Sequence, residues 1–516
     1  MIDYANAVLL VDIEWSGRVF RFASETVTVQ SGDDSLLYDG GLSLSFDEAS
    51  ALLDSAPEDA VDLGDLVFPV DVALWHRMGR YLTGSPAIVR VWSPGLDLNR
   101  ARVTRRGTVS ASEYGEDGQP VRVIVDPPSL DTGAVIVGPE AAVSLSTWPD
   151  RAEAAQGQVY PVIFGIPGLG SDALEADRGG SPAPLVDITG NGKWVISAER
   201  VAATSVTLVD ATDGTSQSLT VAYENDGDGR AVAVVEGTGG AVLPVDGNTY
   251  WVDWSGSDGG VIAPGEETAA LGAGSQILWL LERSGVDFDR GEWASASGVL
   301  NRYRLSWYAD RGSPLEEVKG QIADLLPLSI PSGGAGLYPI VWRWRSTADD
   351  AVIGLEHGRN VYREGGVSLD ASNLRNEHGI GYAPRASDGD MTERRTITGR
   401  EVQSTQTLWR DLSCAVSWST FGHRPAGLEE VPRVYEDGTA SLILADRAIQ
   451  ALPVERLTVD ADVSLGWLSP GDVVTYTDDK THHDNAVALV EGVARDGGRL
   501  SLGLVIIPQP ARDLYP

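Results

Sequence analysis

Cysteine is nearly missing from this chain. Among 516 residues Cys414 stands alone, which excludes a disulfide scaffold and every cysteine-pair zinc pattern. Lysine is nearly missing too: Lys193, Lys319 and Lys480 are the only three, and the remaining cations are arginines. Positive charge is scarce altogether, with 39 basic against 74 acidic residues and a formal net charge of −35. Such a chain repels phosphates over most of its surface, so broad nucleic-acid binding is excluded and only a local basic patch stays open. Long apolar runs are lacking. No stretch approaches the roughly 18–20 residues of a membrane-spanning helix. The start Met1-Ile2-Asp3-Tyr4 has no basic segment ahead of the apolar residues 7–11, so a soluble protein made in a cytoplasm is expected. The 59 glycines keep no period of three, which excludes a collagen-like chain.

What is present is ordinary for a folded protein: 42% of residues are apolar and 22% charged. At about 150 residues per domain, the length suggests three or four domains. The patterning is mostly β. Leu9, Val11, Ile13 and Trp15 alternate with Leu10, Asp12 and Glu14, close to the period of a half-buried strand. Ser16-Gly17 turns the chain into a return strand at 18–22. A second hairpin joins 87–92 to 102–110 across Ser93-Pro94-Gly95, and a strand at 121–125 stops at Pro127-Pro128. A short helix is expected at 45–53, opened by the Ser45/Glu48 capping spacing. Strands at 204–210, 217–223 and 230–236 form a second β-rich stretch. Helices are expected at 275–283 and at 313–326, the latter opened by Ser313-Pro314-Leu315-Glu316. A strand at 303–308 lies between them, and a further strand at 342–345 is expected. The last part has a helix at 441–452, then strands at 456–463, 473–477, 486–494 and 500–506, with a Pro470-Gly471 turn suited to type II. The expected fold is therefore mainly β with a small α+β part. Four domains are expected: 1–130, a β domain; 131–270, an inserted β-rich module; 271–384, an α+β module; and 385–516, a second β domain.

Reactive constellations are weak. Cys414 shares an apolar strand pattern with Leu412, Val416 and Trp418 and reads as a buried structural residue. The pair His482-His483, near Asp478, Asp479 and Asp484, is the densest ligand-like cluster, but neighbouring residues on a strand point to opposite faces. Glu224-Asn225-Asp226-Gly227-Asp228-Gly229 begins like a calcium loop. Its twelfth position is Val235, where a bidentate Glu is needed, so Asp226 and Asp228 read as an acidic hairpin turn. No nucleophile elbow and no phosphate-binding loop occurs; Gly165-Ile166-Pro167-Gly168-Leu169-Gly170 lacks a following helix. Carboxylate pairs are too abundant for any one of them to point to glycoside hydrolysis. Trp342 and Trp344 alternate with Arg343 and Arg345; a core-facing pair is the expectation, and a sugar or nucleic-acid platform the alternative. No catalytic, cofactor-binding or metal residue is assigned, and no cofactor is expected.

Several segments, taken in order, resemble the baseplate or tail-tip hub proteins of tailed bacteriophages. One is Leu280-Leu281-Glu282-Arg283-Ser284-Gly285-Val286-Asp287 followed by Leu300-Asn301-Arg302-Tyr303, the capped helix at 313–326 and the Gly-rich run 331–337. Another is Asp446-Arg447-Ala448, Leu452-Pro453-Val454 and Leu468-Ser469-Pro470-Gly471-Asp472-Val473-Val474. A third is Tyr160-Pro161-Val162-Ile163-Phe164-Gly165. The resemblance covers roughly half of the chain and implies a non-enzymatic structural protein of the virion tail, assembled in the host cytoplasm. It implies tube-type β-barrel or sandwich domains at the two chain ends, alternating in a homotrimeric, pseudo-sixfold ring. That ring would join the tail tube and distal tail protein ring above to a central fibre or tail-tip protein below, with the tape measure protein a further partner. DNA would pass through its channel without specific binding. The 131–270 region departs from the minimal layout of the family. The alternatives are a distal tail ring protein of the same assembly, a carbohydrate-binding, adhesin-like β protein, and a glycoside-cleaving enzyme.

Overall fold

The computed structural model describes residues 8–15, 17–32, 34–40, 43–44, 66–68, 84–98, 101–113, 121–126, 133–138, 141–151, 153–168, 183–188, 192–210, 215–237, 250–254, 257–333, 336–370, 374–384, 390–398, 417, 420–451, 454–496 and 499–507. The helix expected at 45–53, the Pro127-Pro128 stop and Cys414 lie outside these residues. The described chain is mainly β, as its patterning predicts.

The N-terminal sheet has seven strands in the order Arg18–Ala23, Val8–Trp15, Pro86–Trp92, Arg102–Glu113, Val121–Asp126, Leu66–Phe68, Ser43–Leu44. All its pairings are antiparallel. The strand Val8–Trp15 departs from simple alternation. Val8, Leu9, Leu10 and Val11 are all buried. The reason is a second layer: the hairpin Val27–Ser31/Asp34–Tyr38 brings Val29 and Tyr38 against Val8, Leu10 and Trp92. A strand covered on both faces reads as a continuous apolar run. On the covered side Asp12 is ion-paired with Arg90 and lies 3.7 Å from Arg21 Nε. Burial, with the Asp12 charge beside it, pushes the Tyr38 hydroxyl well above its ordinary range.

Two four-stranded sheets follow. One orders Ala183–Pro184, Tyr250–Asp253, Ser205–Asp210, Ser216–Thr220; the other orders Val186–Asp187, Lys193–Ser197, Ala231–Glu236, Ala222–Asn225. Both give side chains to one core containing Trp194, Ile196, Leu208, Leu219, Val235, Val252 and Trp254, which makes them a sandwich. The single strand expected at 217–223 breaks at Val221, and its two halves belong to different sheets. Val221 instead donates its backbone N–H to Thr204.

A helical layer follows. The helix Ala273–Ser284 buries Ile277, Leu280 and Leu281 and ends at Gly285, whose φ of 70° is the left-handed stop that glycine permits. A second helix, Arg290–Leu300, is absent from the sequence expectation. Its signal is present but thin: Asp289 caps Gly291 and Glu292 with its carboxylate, and Trp293, Ala296 and Leu300 face inward. Gly291, Ser295 and Gly298 dilute the apolar stripe. The expected helix at 313–326 is wound unevenly. Pro314–Glu316 is α, Glu317–Ile322 is π and Ala323–Leu325 is 3-10, and the Ser313 side chain makes no cap bond. Gln276, fully buried, donates to the Ala270 and Leu305 carbonyls and accepts from Trp307 Nε1 at 2.9 Å. A buried amide is tolerated because its groups are bonded. The core under these helices also draws on Tyr160 and Phe164 before them and on Ile380, Tyr382, Ile443 and Leu444 after them.

The closing sheet has six strands, in the order Ile353–Glu356, Val473–Asp478, His483–Asp496, Arg499–Ile506, Val454–Ala461, Val361–Asp370. Its first and last strands meet at a bridge between His357 and Val361, which gives a barrel-like curl. Leu457, Val459, Tyr476, Val490, Leu502 and Leu504 share one core. Val473, Val487, Leu489 and Val505 share another with Trp342, Trp344 and Ile449. Trp342 and Trp344 are therefore core residues, and only Ile340–Val341 of that segment is strand. Gly471, at φ 89°, occupies the turn position that the Pro470-Gly471 pair predicts.

One carboxylate beside this sheet, Asp462 at the start of the turn Val463–Leu465, adds to stability above acid pH. Asp462 accepts from Ser464 N at 2.8 Å and from Tyr362 Oη at 2.6 Å. These bonds hold its carboxyl down from 3.8 to about 2. Because the folded value lies below the unfolded one, the stabilisation is present above pH 3.8 and lost as pH falls through about 2. After discounting for solvent screening it is worth about 1 kcal/mol. Urea unfolding at pH 5 and pH 2.5 is expected to show this loss in the native chain and a smaller one in Asp462→Asn.

Candidate functional site

The residues singled out for metal chemistry are used by the fold. His483 engages Thr481 Oγ1 through Nδ1 and Glu455 Oε2 through Nε2, each at 2.8 Å. His482 sits at the hairpin tip with a φ of 59° and is exposed, so the two rings do not converge. Asp478 accepts from the Lys480 and Thr481 backbone and from Thr481 Oγ1, closing the turn. Asp226 Oδ1 accepts from Asp228 N at 3.1 Å and Arg230 N at 2.9 Å, the pattern of an Asx turn. The loop is pressed onto residues 146–147: a Cβ at Gly227 would lie 1.7 Å from the Ser146 carbonyl oxygen. Among the described residues no three His, Cys, Asp or Glu side chains are grouped to hold a metal ion.

A different feature stands out on the surface. The strands Met391–Thr398, Glu377–Pro384 and Pro425–Glu430 form a three-stranded sheet with Glu377–Pro384 in the middle. His378, Ile380 and Tyr382 of the middle strand are buried. Between them come Gly379 and Gly381, and this alternation sets the relief of the sheet. The register puts Thr396 and Leu428 beside Gly379, and Arg394 and Glu430 beside Gly381. A Cβ at Gly379 would come within 3.2 Å of Leu428 Cδ1, and one at Gly381 within 3.0 Å of Met391 Cβ. The glycines thus leave a shallow floor on which Leu428 lies.

Pro425–Glu430 is unusual because all six of its residues are exposed, and Leu428 retains 43% of its accessible surface. A cleft of about 110 Å³ separates it from the helix Asp437–Gln450, lined by His378, Ile380, Leu428, Glu429, Leu444 and Arg447. That volume is well below the roughly 300 Å³ of ordinary small-molecule sites. Across it Arg447 Nη2 donates to Glu429 Oε1 at 3.1 Å. Burial pushes the His378 imidazole below its usual value, partly offset by its bond to the Arg375 carbonyl. Sequence reading missed this sheet, although the His-Gly-Ile-Gly-Tyr alternation at 378–382 marks a strand with one bare face.

No protein-family model and no curated protein matches the chain. Solved structures do. A tail protein from Neisseria meningitidis MC58 aligns over 98% of this chain and 99% of its own, at 12% identity and a TM-score of 0.34. The 43 kDa tail protein of prophage MuSo2 from Shewanella oneidensis aligns over 97% and 98%, at 11% identity and a TM-score of 0.33. Prophage tail protein gp18 from Listeria monocytogenes EGD-e aligns over 58% of this chain and 94% of its own, at 10% identity and a TM-score of 0.24.

Proposed function

We propose that this chain is a structural hub protein of a bacteriophage tail tip or baseplate. Three copies close a pseudo-sixfold ring around the DNA exit channel. The ring joins the tail tube and the distal tail ring to a central fibre, and it performs no turnover. The observation that carries this reading is the pair of multi-stranded sheets supplied by the two ends of the chain. One has seven strands and the other six, each with its own core. Three chains of this design present six such sheets, which is how a trimer can match a sixfold tube. The ordered hub-like segments in the sequence support the same assignment.

The charge of −35 fits a channel that conducts DNA: acidic walls repel phosphates and keep the polymer from sticking. Negative-stain electron microscopy of the purified chain at high concentration tests the reading. A threefold ring with a central hole is expected. A sixfold ring would transfer the assignment to a distal tail ring. Compact monomers that bind glycans would overturn both in favour of an adhesin-like role.

A further inference from the structure

We propose that the edge strand Pro425–Glu430 of one copy adds to the sheet edge at Arg18–Ala23 of a second copy. This inference rests on the ring reading above and names its subunit contact. A strand with every residue exposed is not closely covered on either face, and its outer edge is a template for another strand. Among the described residues, Glu377–Pro384 is its only strand neighbour. The edge carries an apolar knob, Leu428, and two carboxylates, Glu429 and Glu430. Glu429 is engaged by Arg447 of the same chain. Glu430 forms no ion pair among the described residues and is exposed, so it faces outward for a partner.

The complement is on this same chain. Arg18–Ala23 is the outer strand at one edge of the seven-stranded sheet. Its far end is occupied, because Ala23 N donates to the Asp39 carbonyl and Asp39 N to the Arg21 carbonyl. Its near end keeps Arg18 and Val19 exposed, Val19 at 43%. One edge therefore offers an exposed leucine and a carboxylate, and the other an exposed valine and a guanidinium, neither charge ion-paired among the described residues. An exposed arginine on an edge strand is a charge-complementary partner for an acidic strand. Joining two different edges is a head-to-tail contact, and such contacts close into rings when the rotation per copy allows. Backbone pairing supplies the affinity, and the Arg18–Glu430 charges select the register.

The test uses the full chain and three variants: Glu430→Arg, Arg18→Glu and the double exchange. Self-association is followed by sedimentation velocity over a concentration series. Each single reversal juxtaposes like charges and is expected to weaken association about tenfold or more. The double exchange is expected to restore it. Both positions are exposed, so the circular dichroism and melting midpoint of each variant should match the native chain. Hydrogen exchange on the unmutated chain gives a second readout, with slowed exchange at 426–430 on assembly expected.

The outcomes separate the two claims. Rings that form equally well with either reversal, and leave 426–430 unprotected, overturn the edge pairing and spare the hub. Association that obeys the charge exchange but builds open chains or another symmetry supports the edge pairing and overturns the hub. Singles that weaken association without rescue by the double overturn the pairing of these two edges. A chain that never self-associates overturns both.

Discussion

Trp293→Ala is expected to lower the unfolding free energy of the central core by about 3–5 kcal/mol. Trp293 is fully buried in the helix Arg290–Leu300. Its indole fills space between that helix and the segment at Leu337, and its Nε1 donates to the Leu337 carbonyl at 3.0 Å. Truncation removes the transfer free energy of the ring, leaves a cavity and removes one of two donors to that carbonyl, which keeps its bond from Asp289 N. Trp293→Phe keeps most of the volume and loses only the donor, so a cost of about 1–2 kcal/mol is expected. Chemical denaturation followed by circular dichroism measures both. A loss below about 1 kcal/mol for the alanine variant would mean that this helix contributes little to the core.

The second large effect is at Asp446. It is nearly buried in the helix Asp437–Gln450, where it accepts from Tyr303 Oη at 2.5 Å and pairs with Arg345 Nε at 3.0 Å. Arg345 Nη2 also donates to Tyr303 Oη at 3.1 Å, which closes the triangle. Three distant stretches of chain are thereby joined. Two influences compete on the Asp446 carboxyl. Burial raises its pKa, and the Arg345 charge and Tyr303 hydrogen bond lower it; burial wins. The Tyr303 hydroxyl is pushed up in turn, first by burial and then by the Asp446 charge.

Two substitutions separate these influences. Asp446→Ala leaves Tyr303 and Arg345 without their acceptor and is expected to cost about 3 kcal/mol. That is the low end for a broken buried pair, because Arg345 remains 30% exposed. Asp446→Asn keeps an acceptor for Tyr303 and removes a charge that burial disfavours, so about 1 kcal/mol is expected. The pH dependence has a definite sign. With the folded value above 3.8, the contribution of this group is full below pH 3.8 and lost as pH rises through the folded value. Asp446→Asn is therefore expected to flatten that part of the stability profile. Equal losses for both variants would contradict this account.

The legible parts of the fold are those where local pattern and tertiary burial agree. The turn joining Val8–Trp15 to Arg18–Ala23, the strand pair Val473–Asp478 and His483–Asp496, and the helix Ala273–Ser284 follow directly from turn chemistry, alternation or a helical stripe. The misses have physical causes. Val8–Trp15 is covered on both faces because a distant hairpin packs on it, which no local window can report. The split at Val221 arises where one extended run serves two sheets. The helix Arg290–Leu300 is masked by its glycines and serines, and the π turn at Glu317–Ile322 breaks the regularity that Leu315, Val318 and Ile322 suggest. The exposed strand Pro425–Glu430 was illegible for a further reason. Exposure of a whole strand is a property of what surrounds it, and Pro-Ala-Gly-Leu-Glu-Glu reads locally as a loop.

The central claim is that three copies form the working unit. The most direct measurement is the solution mass of the chain across concentration, by light scattering coupled to size exclusion. One chain weighs 54.8 kDa. The hub account predicts a species of three times 54.8 kDa, about 164 kDa, that grows in with concentration and then stops growing. A mass that stays near 54.8 kDa at every concentration, or that settles at six copies, would contradict it.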